Sequence, residues 1–324
     1  MTSATTTNNP NFVQRFARDH SPLVIALVLI FMAVCIIGAA TAPNFLTLFN
    51  FKTIIRDAAI VGIMAIGLTF VTLSGNFFLL SMKETAALAI IAFATCMAAG
   101  LGFPMSFLIT MAIATVAGAV QGLLIGLGGN PIVVTLGAAG LFFGIGSWWS
   151  DNLVVSFRRP HGAEWLGTGS TFGLPNITIA FVIIAIVAEL VLRKTSFGRQ
   201  VYLIGANRAA GRATGHENFA MAIKVCIIAS VCSAFVAVAF SAQVSSAHVN
   251  YFSSEFGSSG DMTIMVIATV MVGGNSIMGG YGSTLRSSLG AVFISTVDNM
   301  MVLHGFNSGP RVLAVGWYCQ IKLT

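Results

Sequence analysis

The sequence predicts an all-α protein, a polytopic bundle of transmembrane helices with about ten apolar segments, one or two of them broken or short. Of its 324 residues, 56% are hydrophobic and only 8% are charged, whereas about a quarter of the residues of a soluble domain are charged. The mean hydropathy is +0.90. The 34 glycines suit helices that pack closely in lipid. A chain of this length has room for roughly nine to eleven spans, but not for a large soluble catalytic domain as well.

Residues 1–22 and 23–324 differ in composition. The first are polar and include Arg15 and Arg18 just before the first apolar run. That run, 23–42, is longer than the apolar region of a secretory signal peptide, so we expect it to be retained as the first span. The sequence therefore predicts an N-terminal tail over 1–22 and a single transmembrane domain over 23–324.

Pro, Gly or charged residues separate the apolar segments from one another. The segments lie at about 23–42, 58–74, 86–100, 105–127, 131–149, 176–192, 221–244, 262–274, 287–303 and 312–319. Segment 262–274 and the last one are too short to cross a layer of about 30 Å as straight helices. We expect a broken, tilted or partly re-entrant element at 262–274, surrounded by protein or by a water-filled cavity.

A basic segment between the sixth and seventh spans indicates the orientation. The charged residues of 193–224 are Arg193, Lys194, Arg199, Arg208, Arg212, Glu217 and Lys224. Short loops rich in Lys and Arg face the cytoplasm. Six spans separate this segment from the basic tail, so both are expected on the same side, with the N-terminus in the cytoplasm.

Composition and motifs exclude several functions. The net charge of +6 is spread along the chain, so we expect no nucleic-acid partner. The sequence has no GxxxxGK[ST] pattern for cradling a nucleotide phosphate. The five cysteines form no CxxC pair and the histidines form no HExxH pattern, so no metal site is predicted. We therefore expect no enzyme activity and no cofactor in this chain.

Few ionisable residues fall inside the apolar segments. Asp298, beside Asn299, lies deepest; it is a candidate for contact with a substrate or for pairing helices, and a simple interhelical hydrogen bond is the alternative. Arg56, Asp57 and Glu189 are expected to reach an interface. So few charges argue against a proton-coupled carrier.

Two further features carry predictions of their own. Lys83 and Glu84 are adjacent and are expected at the end of a span without a mutual salt bridge, since adjacent helical positions do not face each other. The segment VMVGGNSIMGGYGSTL contains five closely spaced glycines, Gly273, Gly274, Gly279, Gly280 and Gly282. It is either a tightly packed helix–loop–helix or a hinge near a translocation path.

Four stretches resemble a known family. They are GLTFVTLSGNFFLLS at 67–81, QGLLIGLGGNPIVVTLGAAGLFFGI at 121–145, TSFGRQVYLIGANRAAGRATG at 195–215 and ATVMVGGNSIMGGYGSTLRSSLGAVFI at 268–294. Their order resembles the permease subunits of bacterial ABC importers for monosaccharides of the ribose, xylose and arabinose type, which are related to branched-chain amino-acid permeases. The resemblance extends from residue 23 to about 309.

The resemblance implies an inner-membrane permease without its own ATPase. It would import a monosaccharide delivered by an extracytoplasmic binding protein, pair with a second permease copy, and dock on a partner ATPase that binds ATP. The docking loop would span about 193–220, with Phe197, Gly198, Arg199, Gly205, Asn207, Arg208, Ala209, Ala210, Arg212 and Gly215. Candidates for the translocation pathway are Asn76, Ser81, Gly273, Gly274, Asn275, Asp298 and Asn299.

Two departures from the family keep alternatives open. The stretch 67–81 lacks the aspartate of the family pattern GG[IF]DLSxG, and residues 311–324 offer only a short apolar piece. The alternatives are an ion-coupled secondary transporter and an inactive, C-terminally shortened permease. The sequence specifies neither which sugar is imported nor whether the substrate is a sugar at all. It also does not distinguish a homodimer from a heterodimer.

Overall fold

The structure, a computed structural model, is a bundle of helices with two very small sheets. It describes residues 22–42, 44–75, 78–157, 163–171, 173–207, 218–253, 261–306, 309–311 and 313. The predicted N-terminal tail, apart from its last residue, and most of the segment 312–319 lie outside these ranges.

The helices follow the apolar segments of the sequence closely. They are α1 (Pro22–Thr41), α2 (Leu48–Leu73), α3 (Met82–Ala98), α4 (Phe103–Gly126), α5 (Pro131–Trp149), α6 (Ala163–Gly167), α7 (Asn176–Lys194), α8 (Ser196–Ala206), α9 (Asn218–Val244), α10 (Met262–Val272) and α11 (Thr284–Leu303).

Short strands join the loops at one end of the bundle. Strand β1 (Val155–Ser156) pairs antiparallel with β4 (Ser246–Ala247), and β2 (Ser170–Thr171) pairs antiparallel with β3 (Leu174–Pro175). The β1–β4 pair ties the loop after α5 to the end of α9.

Helix α2 is the centre of the bundle. Every residue from Ala58 to Leu73 is buried, and α2 contacts α7, α9, α10 and α11. Helix α9 contacts α3 and α4 from its other side, and α5 packs on α3. The bundle thus contains one group of helices around α3, α4, α5 and α9 and a second around α2, α7, α10 and α11, joined where α2 meets α9.

Small residues let α4 and α9 approach backbone to backbone. A Cβ on Gly122 of α4 would lie 2.8 Å from the carbonyl oxygen of Ala222 in α9. Helix association in lipid depends on such close packing, because no difference in hydrophobicity separates a helix from its lipid surroundings.

Five helices of the described chain are long and apolar enough to span a membrane, namely α2, α4, α5, α7 and the part Phe219–Val244 of α9. This confirms a helical membrane bundle, but not the count of ten segments. Helix α10 has 11 residues and is short, as predicted. Helix α2 begins at Leu48, ten residues before the predicted apolar segment, because Thr47 caps it by accepting a hydrogen bond from the Asn50 amide at 3.2 Å.

Candidate functional site

Helix α8 contains four of the predicted docking residues and follows α7 directly; a fifth, Asn207, comes immediately after it. The Thr195 side chain caps α8 by accepting a hydrogen bond from the Gly198 amide at 3.2 Å. The helix buries Val201 and Ile204 and exposes Arg199 and Leu203. Because the two exposed residues are four positions apart, they share one face of α8.

The opposite face of α8 contacts the end of α2. The rings of Phe197 and Phe70 stack with centroids 6.1 Å apart. Gly205 lies so close to the last residue of α2 that a Cβ there would overlap with the carbonyl oxygen of Leu73. That same oxygen accepts a hydrogen bond from the Gly280 amide at 3.0 Å. Three segments therefore meet here through their backbones.

A tyrosine connects α8 to the glycine-rich segment. The Tyr202 hydroxyl donates a hydrogen bond to the Gly282 carbonyl oxygen at 2.8 Å. Burial raises the pKa of Tyr202, and the Glu189 carboxylate raises it further. The hydroxyl therefore keeps its proton, and can donate, to a higher pH than an exposed tyrosine.

We expect Tyr202→Phe to lower the free energy of unfolding by about 1 kcal/mol, the usual worth of one hydrogen bond. Since the pKa is raised in the folded state, this contribution is complete below the ordinary tyrosine value and is lost only as the pH rises through the raised one. Thermal unfolding in detergent should show the same difference from wild type between about pH 6 and pH 9. Tyr281→Phe, at a half-exposed ring, is the control, and a Tyr202 effect that disappears within this range would contradict the assignment.

The glycine-rich segment between α10 and α11 forms a tight turn. Gly274, Gly279 and Gly280 have φ values of 84°, 93° and 74°, which side chains rarely permit. The Asn275 side chain orders the turn: its amide donates to Ser287 Oγ at 2.6 Å, and its Oδ1 accepts from the Ser283 amide at 2.7 Å. The geometry is that of the tightly packed helix–loop–helix, the first of the two predicted alternatives.

A buried carboxylate of α7 accepts hydrogen bonds from the start of α11. Glu189 accepts hydrogen bonds from Ser283 Oγ at 3.0 Å, from the Thr284 amide at 3.0 Å and from Thr284 Oγ1 at 2.7 Å. It also pairs with Arg193 one turn later in α7. An anion at this position suits the positive end of the helix dipole.

The Glu189 side chain is only 8% exposed, because α11 covers it; the expectation that it reaches the membrane interface stays a prediction. Its partners at 283–285 are more than 90 residues away in the sequence, so local patterns do not reveal them. The one available sign is that Ser283 and Thr284 begin a helix without an acid in its first turn.

The predicted docking residues that the structure describes lie together, whereas the pathway candidates are dispersed. Phe197, Gly198, Arg199 and Gly205 belong to α8 and Asn207 follows it. Arg208, Ala209, Ala210, Arg212, Gly215 and Asn76 lie outside the described residues. Gly273, Gly274 and Asn275 are in the turn beside α8. Ser81 is buried before α3 and donates a hydrogen bond to Gln121 of α4.

Asp298 is held by an arginine from beyond α11. Arg311 donates to its two carboxylate oxygens at 2.8 and 2.7 Å, and both side chains are nearly buried. Asn299 is buried beside it, and its Oδ1 has no hydrogen-bond partner within the described ranges. The Asp298 carboxylate thus joins α11 to the segment that follows it.

Lys83 and Glu84 do contact each other, contrary to expectation. Their Nζ and Oε1 atoms lie 3.5 Å apart. Lys83 Nζ also pairs with Asp261, the cap of α10. The long lysine side chain, at the start of α3, reaches both acids at once. Among the described residues, no three His, Cys, Asp or Glu side chains are placed to hold a metal.

Comparisons with known proteins identify the family. The family model described as "Branched-chain amino acid transport system / permease component" matches residues 50–315. The chain belongs to this permease family. No solved structure matches it.

Curated relatives are similar to the permease over most of its length. The probable ABC transporter permease YphD of Escherichia coli K12 is 27% identical, over 92% of this chain and 86% of the relative. The ribose import permease RbsC of Bacillus subtilis is 28% identical, over 87% and 85%. The autoinducer 2 import permease LsrC of Salmonella typhi is 27% identical, over 90% and 80%. The protein is thus a multi-pass membrane permease of an ABC importer.

Proposed function

We propose that this permease imports a monosaccharide, delivered by an extracytoplasmic binding protein, and that a partner ATPase drives it by docking on α8. The resemblance to monosaccharide permeases and the ribose permease among the relatives support the substrate class. The main observation that supports docking is the position of α8, which exposes one face and contacts α2 and the turn before α11 with the other.

The contacts of α8 suit the transmission of force. Gly205 meets the chain after α2 and the glycine turn backbone to backbone, so no flexible side chain lies between them. The turn continues into α11, whose first residues are hydrogen-bonded to Glu189 of α7. A movement of α8 is therefore passed directly to α2, α7 and α11, since closely packed interiors deform little.

Charge supports a cytoplasmic position for this end of the bundle. Arg193, Lys194 and Arg199 are exposed around α8, and Arg208 and Arg212 follow in the sequence. Positive residues beside spans remain on the cytoplasmic side, where the ATPase would bind ATP. This orientation also puts the N-terminus in the cytoplasm. A second permease copy would complete the pathway.

The docking assignment is tested by co-purification with a sugar-importer ATPase. We expect the double variant Arg199→Glu, Leu203→Glu to reduce ATPase recovery at least tenfold, because it puts two acids on the exposed face of α8. Lys52→Glu, near the opposite end of α2, reverses a charge away from α8 and should bind ATPase like wild type. Undiminished recovery with the double variant would contradict docking on α8.

A further inference from the structure

Two helices of the permease begin inside the membrane. Helix α10 has 11 residues and is about 16 Å long. A Cβ on Gly273, at its end, would lie 2.7 Å from the carbonyl carbon of Arg286, in the first turn of α11. The end of α10 therefore lies level with the start of α11, beside α8. Its beginning is then about half way across a layer of about 30 Å.

Helix α3 also begins inside the membrane. Ser81, the residue before it, is hydrogen-bonded to Gln121, which precedes the end of α4 by about 8 Å. That end, at Gly126, packs on Phe219 near the start of α9. The chain therefore lies inside the membrane at 78–81, before α3 starts. Non-helical backbone at this depth requires surrounding protein or a water-filled cavity.

The beginnings of these helices are joined by an ion pair. Lys83 Nζ pairs with Asp261 Oδ2 and lies 3.5 Å from Glu84 Oε1. The other oxygen of Asp261 accepts a hydrogen bond from the Thr263 amide at 2.9 Å. The group therefore contains two carboxylates and one ammonium, so acceptor capacity remains after Lys83 is paired.

Two polar atoms beside this ion pair have no partner in the described part of the chain, Glu84 Oε2 and Thr263 Oγ1. Thr263 is only 9% exposed. Burying such atoms without hydrogen bonds is costly. Meanwhile the Asp261 side chain is 32% exposed. A charged group exposed at this depth is stable in a water-filled cavity and not in lipid.

We infer that Lys83, Glu84, Asp261 and Thr263 form a specificity-determining site in the translocation pathway that binds two neighbouring hydroxyl groups of a neutral sugar. Each sugar hydroxyl both donates and accepts hydrogen bonds. One donates to Glu84 Oε2, and the next pairs with the Thr263 hydroxyl and the accessible Asp261 carboxylate. An amino-acid substrate with an aliphatic side chain, bound in place of the sugar, would leave all these groups without hydrogen bonds. The inference rests on the proposed function, because it takes its ligand class from there.

Uptake into proteoliposomes tests the ligand. The permease is reconstituted with its ATPase and binding protein, and D-ribose and D-galactose are each compared with the 2-deoxy analogue. The binding protein is constant, so a change in preference reports on the permease. We expect Glu84→Gln to reduce the preference for the complete sugar about tenfold, the effect of one lost hydrogen bond to a charged group. Thr263→Val should reduce it about fivefold, the effect of one lost hydrogen bond to a neutral hydroxyl. Glu164→Gln, in the exposed part of α6, should leave it unchanged.

Thiol labelling tests the site without transport. Asp261→Cys in membrane vesicles should react with a charged, water-soluble thiol reagent well above the wild-type background, because the side chain at this position is 32% exposed and the proposed site is open to water. An unlabelled Asp261→Cys, or an unchanged sugar preference in Glu84→Gln, overturns the inference. An assembled complex that takes up no sugar contradicts the ligand class. A wild-type chain that binds no ATPase contradicts the proposed function itself. In both cases the labelling experiment still decides whether the site is open to water.

Discussion

Glu189→Ala is expected to lower the free energy of unfolding by about 3 kcal/mol and to abolish ATP-driven uptake. The substitution leaves Ser283 Oγ, Thr284 Oγ1 and the Thr284 amide without their acceptor at a buried helix start. Each unsatisfied buried donor costs about 1–3 kcal/mol, and loss of a helix cap costs about 1 kcal/mol. Thermal unfolding in detergent measures the first effect and uptake into proteoliposomes the second.

A graded series separates this capping role from the loss of charge alone. Glu189→Gln keeps one acceptor oxygen, so its free energy of unfolding should fall by about half as much as that of Glu189→Ala. Glu164→Ala, which removes an exposed acid from α6, is the matched control and should behave like wild type. If Glu189→Ala is as stable as Glu164→Ala, Glu189 does not hold the start of α11.

Gly205→Ala is expected to cost about 2 kcal/mol of stability, the usual effect of inserting a methyl group into a closely packed site. The new Cβ would overlap with the Leu73 carbonyl oxygen and lie 2.7 Å from the Gly280 amide nitrogen. Because the new methyl group would displace α8 from its contacts with α2 and the glycine turn, uptake should fall more than tenfold even in protein that remains folded. ATP hydrolysis measured beside uptake should then proceed without transport.

Gly137→Ala is the comparison for Gly205. It lies in α5, where a Cβ would meet nothing within 4 Å. There, the same substitution should be neutral or stabilise by up to about 1 kcal/mol, because alanine loses less entropy on folding. Equal effects of the two substitutions on coupling would contradict a close contact between α8 and the glycine turn.

Helices bounded by local signals could be predicted from the sequence. The segment 131–149 coincides with α5 because Pro131 begins it and the Asn130 side chain caps it, accepting a hydrogen bond from the Ile132 amide at 3.0 Å. Helix α2 was less visible, since Lys52, Arg56 and Asp57 interrupt its apolar run. A helix can continue through charged residues near its end, because their long side chains reach solvent, so the length of the apolar run underestimates the length of the helix.

The contacts between distant residues could not be predicted. Lys83 and Asp261 are 178 residues apart, and Glu189 and Ser283 are 94 apart. Periodicity reports which face of a helix is apolar, but not which polar partner another helix brings to it. The segment proposed to dock on the ATPase was predicted from its charge and its resemblance to a family, whereas its attachment to the glycine turn requires the three-dimensional structure.

The most direct test of an ATP-driven permease is its energy source. The permease, its ATPase and the binding protein are reconstituted in proteoliposomes, and uptake of labelled D-ribose and D-galactose is followed with ATP or a non-hydrolysable analogue inside. We predict uptake that requires hydrolysable ATP and persists after proton and sodium gradients are dissipated. Uptake that follows a gradient without ATP would contradict this account and establish an ion-coupled carrier.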